Sequence, residues 1–175
     1  MSTARLLTLN QLDIPFATMS HLKYTDGTPL GAKFGAMGHY SQAVVLPSGI
    51  VKLSGQGGWN PVTGSLSLAP EEGDSEVTTG DKQFLDVPTQ IDNALASIEV
   101  LLRDAGCTQG WGAVYQIRSY HVALDSDAFF TMVAKIKDKC GENHRPIWTA
   151  IGIDRLGLEG MKVEVEVEAI LPSAT

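Results

Sequence analysis

Four side chains of this 175-residue chain have the chemistry to bind a polar molecule or to move a proton. Glu166 lies in a run that alternates valine with glutamate, and a carboxylate there could orient water or accept a proton. Tyr40 and Ser54 carry hydroxyl groups that could polarise a carbonyl or an imine. Trp148 presents an indole ring, which could stack on an aromatic ligand or hold a cation. These residue types are compatible with chemistry on a small molecule.

Each of these side chains also has a plain structural interpretation. Alternating charges on a strand usually mark a solvent-facing side, which would explain Glu166 together with Glu164 and Glu168. The tyrosine could be half-buried with its hydroxyl in water, and Ser54 with the following glycine could mark a strand end that needs small residues. Trp148 could plug a pocket or pack at a subunit interface. Both interpretations of each residue remain open on these grounds.

Hydrophobic periodicity predicts the elements that carry these residues. Strands are predicted at 43–46, 50–53, 112–124, 147–153 and 162–170. Helices are predicted from about 87 to 105 and from 126 to 140, with Gly106 and Gly141 ending them. The last strand alternates strictly, so its valines face one side and its glutamates the other. The β-β-α-β-α-β-β order predicts a single α+β domain with two helices on one face of a mainly antiparallel sheet.

The remaining segments give weaker predictions. Residues 1–38 are rich in glycine, threonine and proline, which indicates turns. Residues 65–82 are acidic and lack periodicity, which indicates a long surface loop. The second helix is expected to begin with Ser126 as its N-cap and to turn four apolar side chains inward: Phe129, Met132, Val133 and Ile136.

Composition excludes several classes of function. Thirteen basic against 20 acidic residues give a net charge of −7, so the chain is a poor candidate for binding nucleic acid. No apolar run is long enough to cross a bilayer and no secretory pattern opens the chain, so we expect a cytoplasmic protein without a membrane partner. Cys107 and Cys140 are expected to be free thiols. The four histidines lack metal-binding spacing, and no metal or cofactor is expected.

Four segments, in their order and spacing, resemble the YjgF/RidA family of reactive-intermediate deaminases, formerly called L-PSP endoribonucleases. They are GHYSQA (38–43), LSGQ with NPVTG (53–64), RPIWTA (145–150) and VEVEVEAI (163–170). The resemblance covers about residues 38–171. It implies a chorismate-mutase-like fold and a homotrimer with a central barrel and three clefts between subunits. Residues 1–175 would then form one domain, with 1–37 as an N-terminal extension and 65–82 as an inserted loop.

The resemblance also implies roles for individual residues. The family's catalytic glutamate, near which water is activated to attack a 2-imino acid, falls at Glu166. Tyr40, Ser54 and Gly55 match positions that line the cleft, and Ala150 completes the predicted binding residues.

One position departs from the family in a way that bears on the substrate. Trp148 stands where the family has the arginine that holds the substrate carboxylate with two hydrogen bonds. The family also often has an asparagine in the second helix that contributes to the cleft, and the matching position in this chain falls near the apolar Val133. Arg145 is expected not to compensate, because alternation along a strand would place its side chain opposite Trp148. The family's usual carboxylate contacts are therefore expected to be missing.

These observations predict a divergent family member that acts on a reactive small metabolite, of imine, enamine or carbonyl type, in an intersubunit cleft. Because the carboxylate clamp is missing, we expect little activity on 2-iminobutanoate and a more specialised role, for example in biosynthesis. The alternative is a non-catalytic ligand-binding or regulatory trimer. A ribonuclease is the weakest interpretation, since the chain is acidic and has no basic stripe.

Overall fold

One seven-stranded sheet organises the molecule. The computed structural model describes residues 21–66 and 84–172. The strands are β1 (Lys23–Thr25), β2 (Ala43–Val45), β3 (Ile50–Leu53), β4 (Gln56–Gly57), β5 (Val114–Val122), β6 (Ile147–Ile153) and β7 (Val163–Ile170). They lie in the order β1-β2-β3-β7-β5-β6, with β4 paired to β7. The helices are α1 (Pro29–Gly38), α2 (Val87–Asp104) and α3 (Ser126–Cys140), with a short 3-10 helix at Gly110–Ala113. Only β5 and β6 pair in parallel among these strands, which confirms the predicted α+β class with a mainly antiparallel sheet.

Helix α2 forms because its apolar residues recur at helical spacing and its ends carry suitable caps. Asp86 accepts a hydrogen bond from the Thr89 N–H at 2.8 Å, and Pro88 occupies the first turn. Gly106, with φ of +103°, follows the last turn as predicted. The face turned to the sheet is buried and consists of Gln90, Ile91, Ala94, Leu95, Ile98, Leu101 and Leu102. This stripe and the inner face of β7 make up much of the core.

Strand β7 confirms the predicted alternation. Val163, Val165 and Val167 are buried at 2% exposure or less, whereas the glutamates between them are only partly buried on the other face. A slip of one residue would bury the carboxylates, so the hydrophobic pattern determines the register. The polar face of β7 is therefore available for chemistry.

The prediction of turns throughout residues 1–38 is wrong for the part that the structure describes. Strand β1 pairs with β2, and α1 follows it. Thr28 caps α1 by accepting a hydrogen bond from the Gly31 N–H at 3.0 Å. Residues 1–20 of the expected extension, and 67–82 of the expected loop, lie outside the described residues.

Helix α3 differs from its prediction at its start and on its exposed face. Asp125, not Ser126, is the N-cap, since its carboxylate accepts the Ala128 N–H at 2.8 Å. Met132 is buried, but Phe129 and Val133 are 37% and 38% exposed. The buried face of α3 is therefore narrower than the predicted face of four inward-facing apolar residues. The strand predicted at 112–124 is also shorter, because residues 110–113 form the 3-10 helix.

Two further features of the chain bear on its class. Cys107 and Cys140 are both free thiols, as predicted. No helix within residues 21–66 and 84–172 has the length and apolar character to cross a membrane.

Candidate functional site

Trp148 lies on the face of β6 that is turned toward α3. It pairs in register with Ile117 of β5, and Ile117 pairs with Val167 of β7, so all three side chains project to the helix-covered face. The indole N–H donates to Ser119 Oγ at 2.9 Å. The indole ring stacks on Phe129, with 5.3 Å between ring centroids and 21° between planes. Trp148 is thus held both by its polar edge and by one of its faces.

A groove of about 440 Å³ opens beside Trp148, between the C-terminal half of α3 and the start of β6. Its charged residues are exposed, whereas Ile136, Pro146 and Trp148 are partly buried, so the charges stand at the rim. Its lining consists of Val133, Ile136, Lys137, Gly141, Glu142, His144, Arg145, Pro146 and Trp148. This size and character suit a small organic molecule with an apolar part.

Arg145 lines the same groove as Trp148, so the prediction that the two lie on opposite sides is wrong. Strand β6 begins only at Ile147, and alternation does not extend back to Arg145. Lys137 at the rim is paired with Glu142 at 2.8 Å, whereas the Arg145 guanidinium makes no ion pair with any residue that the structure describes. A cation is therefore present at the groove.

Glu166 lies on the opposite, polar face of the sheet. It pairs in register with Arg118, and the Arg118 Nη1 is 3.9 Å from Glu166 Oε2. The Tyr120 hydroxyl donates to Glu166 Oε1. The pKa of Tyr120 is raised for two reasons. The larger is that only the protonated phenol can donate this hydrogen bond, and the smaller is that the hydroxyl is partly shielded from water. The carboxylate of Glu166 is therefore oriented by two side chains of β5.

The neighbouring carboxylates of β7 have contrasting environments. Glu168 accepts the Tyr115 hydroxyl at 2.6 Å and lies 3.1 Å from Lys52 Nζ. The Tyr115 hydrogen bond, together with Lys52, holds the pKa of Glu168 below its usual value. Glu164 has neither a hydrogen bond nor an ion pair among the described residues. Its pKa is raised, mainly by burial and secondly by repulsion from the charge of Glu166.

Neutral glutamine substitutions should reveal this contrast as opposite changes in stability. Glu168→Gln is expected to lower the free energy of unfolding at pH 7 by about 1–3 kcal/mol, because charge-assisted hydrogen bonds are lost. Glu164→Gln is expected to raise it, because a carboxylate whose folded pKa is raised destabilises the fold as pH rises above the unfolded value. Urea unfolding at pH 5 and pH 7 measures both. Equal effects of the two substitutions would contradict the assignment.

Ser54 and Gly55 lie on the side of β7 away from β5, and Tyr40 follows the end of α1. The Ser54 hydroxyl donates to the Ser41 carbonyl oxygen at 2.7 Å, and the Tyr40 hydroxyl accepts from Gln42 Nε2 at 3.1 Å. Gly55 lies against the carboxylate of Glu164, where a Cβ would collide with Glu164 Cδ at 2.6 Å. Gly55 thus permits Glu164 to lie over the backbone, and Ser54 and Tyr40 have partners within the chain.

The structure therefore separates the predicted site residues into two groups. Trp148 and Ala150 project to the helix-covered face, since Ala150 pairs with Ser119. Glu166 projects to the polar face, near the segment of Ser54 and Gly55. Within one protomer the sheet itself separates the two groups.

Sequence inspection missed several residues that contact this site. Ser119 and His121 form a buried pair behind Trp148, and Arg118 and Tyr120 contact Glu166. The unbroken run of polar residues at 118–121 is a signal for them, but their partners depend on the pairing of β5 with β6 and β7. As to metals, no group of three His, Cys, Asp or Glu that could hold an ion occurs in the described part of the chain.

Comparisons with known proteins agree with the fold. A family model described as endoribonuclease L-PSP matches residues 31–171. A YjgF/YER057c/UK114 family member from Mycobacterium tuberculosis is similar in structure, with a TM-score of 0.61, 21% identity and coverage of 86% of this chain and 99% of the other. A YjgF family member from Neisseria meningitidis has a TM-score of 0.58 and 20% identity, covering 87% and 97%. A conserved Rid family protein from Yersinia pestis has a TM-score of 0.56 and 23% identity, covering 86% and 99%.

These identities are low, and the structural likeness by itself shows a common fold. A search among curated proteins finds no match to the chain. The family model, however, extends from the first turns of α1 to the residue after β7. The chain therefore belongs to the endoribonuclease L-PSP family, which is the YjgF/RidA family.

Proposed function

We propose that this protein binds and converts a small reactive imine, enamine or carbonyl compound, and that it is not a standard 2-iminobutanoate deaminase. Membership of the family supports a role in binding or processing small molecules. The observation that carries the finer proposal is the groove beside Trp148. It brings together Trp148 and Val133, the two positions where the resemblance places the family's arginine and asparagine. Both are apolar here, so this part of the site favours an apolar or aromatic group.

We further propose that the site is completed by a second copy of the chain in a homotrimer. Trp148 and Glu166 project to opposite faces of one protomer's sheet, so a cleft containing both requires two protomers. Strand β6 is an edge strand of the described sheet, and Ile147 on it is 66% exposed. An exposed apolar residue on an unpaired edge favours burial against another copy.

In this proposal Glu166 is the group that accepts a proton from water. Tyr120 and Arg118 orient its carboxylate, which fits a general base whose direction must be maintained. Tyr40 and Ser54 would line the cleft and polarise the imine or carbonyl group. Their hydroxyls are engaged within the protomer, so ligand binding would have to exchange or share those hydrogen bonds.

The experiment that tests this proposal uses imines generated in solution from aliphatic and aromatic amino acids by an amino-acid oxidase, with ammonia release as the readout. We expect little turnover of 2-iminobutanoate and faster turnover of imines with larger apolar groups. Glu166→Gln is expected to lower turnover about 100-fold, since loss of a general base has an effect of this size. Glu99→Gln on α2, a partly buried carboxylate paired with Arg103, serves as the control. Normal wild-type turnover of 2-iminobutanoate would contradict the proposal.

One observation favours a second candidate, a non-catalytic binding or regulatory protein. Glu166 is already engaged by the Tyr120 hydroxyl and lies near Arg118, as a purely structural carboxylate would. In that case Glu166→Gln would leave ligand affinity largely unchanged, and no imine in the panel would be turned over. A ribonuclease stays the weakest candidate, given the net charge of −7. RNA degradation that persists through purification and disappears with Glu166→Gln would support it.

A further inference from the structure

Behind Trp148 lies a buried polar pair that the proposed chemistry does not use. Ser119 and His121 are adjacent on the helix-covered face of β5 and are 0% and 1% exposed. The Ser119 Oγ is 2.9 Å from His121 Nε2 and also 2.9 Å from the indole nitrogen of Trp148. Three polar groups from β5 and β6 thus form one continuous chain of hydrogen bonds.

Donor and acceptor chemistry fixes the direction of the first of these hydrogen bonds. An indole N–H only donates, so Ser119 Oγ accepts from Trp148. Because Oγ carries two lone pairs and one proton, its contact with His121 Nε2 can form with either tautomer of a neutral imidazole. Burial lowers the pKa of His121, which favours that neutral form. No described residue pairs with His121 Nδ1, so the chain ends there.

We propose that Ser119 and His121 are positioning residues that determine the specificity of the groove by fixing the indole of Trp148 as one of its walls. This inference rests on the proposed function of the groove. His121 orients the Ser119 hydroxyl, and Ser119 in turn holds the indole N–H on the buried side. With its other contact on Phe129, the indole keeps one orientation and presents a flat apolar surface.

A fixed flat wall selects the chemical class of the ligand. A planar aromatic or unsaturated group can stack against an indole that is already ordered, without the entropy loss of ordering it on binding. A mobile indole would instead fill the groove for part of the time and weaken binding. Arg145 at the rim adds a cation, so the groove fits a flat apolar group that carries a negative charge. The ligand class inferred is therefore a planar unsaturated or aromatic carboxylate.

The first test measures the indole alone, without ligand, by the 15N–1H signals of the three tryptophan side chains in the full-length protein. Trp148→Phe assigns the Trp148 signal. Trp111 and Trp59 are internal references, and the Trp111 Nε1 is buried with no partner among the described residues. Ser119→Ala should shift the Trp148 signal and speed its exchange with solvent, while both references stay unchanged. Ser119→Thr, which keeps the hydroxyl, should restore the wild-type behaviour.

The second test measures binding of 2-naphthoate, a flat aromatic anion, to the same proteins. We expect Ser119→Ala to weaken its affinity about tenfold, which is the effect of one lost hydrogen bond of ordinary strength. His121→Leu should act in the same direction, whereas His121→Gln retains a hydrogen-bonding partner for the Ser119 hydroxyl and should act less.

The outcomes separate this inference from the proposed function. A Trp148 signal that Ser119→Ala leaves unchanged would overturn the positioning role, whatever the groove binds. A changed signal with unaltered 2-naphthoate affinity would overturn the specificity role. Failure of the imine assays with both tests positive would instead leave Ser119 and His121 as determinants of a binding groove, and only the catalytic proposal would be lost.

Discussion

Replacement of Trp148 by arginine is expected to raise turnover of 2-iminobutanoate by roughly 10²- to 10⁴-fold. A guanidinium can hold a carboxylate with two charge-assisted hydrogen bonds, at about 1.5–3 kcal/mol each, and each 1.4 kcal/mol is a tenfold change in rate. The surroundings can accept this side chain. Phe129 offers a ring on which a planar guanidinium stacks, and Ser119 Oγ can accept one of its N–H groups.

Two matched variants give this prediction its specificity. Trp148→Lys brings the same charge without the planar fork and should give a much smaller gain. Trp148→Phe empties part of the groove without adding charge and should give none. The measurement is ammonia release from 2-iminobutanoate, with kcat and KM determined separately. Arg145 lies at the same groove and would repel a second guanidinium. We therefore expect a gain in turnover toward the lower end of this range.

Failure of Trp148→Arg to gain activity would also be informative. If the variant binds the imino acid more tightly but does not turn it over, the missing function lies at Glu166 and not at Trp148. That result would favour the non-catalytic binding protein. If neither binding nor turnover changes, Trp148 does not lie at the substrate position, and the groove is not part of the cleft.

Local periodicity was sufficient to predict the elements with strong apolar patterns. Helix α2 and strand β7 have regular stripes of apolar residues, and their predicted limits agree with the structure within a residue at each end. Helix α1 was missed for an equally local reason. Its ten residues include three glycines, which have low helix propensity, and its Thr28 cap is visible only when a helix is already suspected.

The contacts at the candidate site could not be predicted in the same way, because they depend on pairing between strands. The hydrogen bond between Trp148 and Ser119 follows from the parallel register of β5 and β6, and those residues are separated by 29 positions. The placement of Arg145 depends on where β6 begins, and a shift of one residue reverses the expected side. Strand ends are decided by tertiary contacts that alternation does not encode.

Gly58→Ala is expected to be the most destabilising small substitution near the site. Gly58 follows β4 and lies directly against α2, where the alanine Cβ would meet the Cβ of Gln90 and approach the Gln90 Cα at 2.6 Å. Backbone atoms cannot move aside as the end of a flexible side chain can. The cost is therefore expected at the upper end for overpacking, about 3 kcal/mol in the free energy of unfolding. For a chain of this length that corresponds to a Tm lower by about 6–12 °C.

The consequence should reach the site, because Gln90 connects α2 to the segment that leads into β7. Its side-chain nitrogen donates to the carbonyl oxygens of Leu85 and Gly160, and its oxygen accepts the Lys162 N–H at 2.8 Å, just before β7. Pushing Gln90 away would therefore disturb the start of the strand that carries Glu166. Gly157→Ala is the matched control, since a Cβ there meets no atom within 4 Å, and it should change stability by less than about 0.5 kcal/mol. Equal urea midpoints for the two variants would contradict this prediction, because they would show that α2 can move away from β4 without cost. The close approach of α2 to β4 would then not hold the polar face of β7 in place.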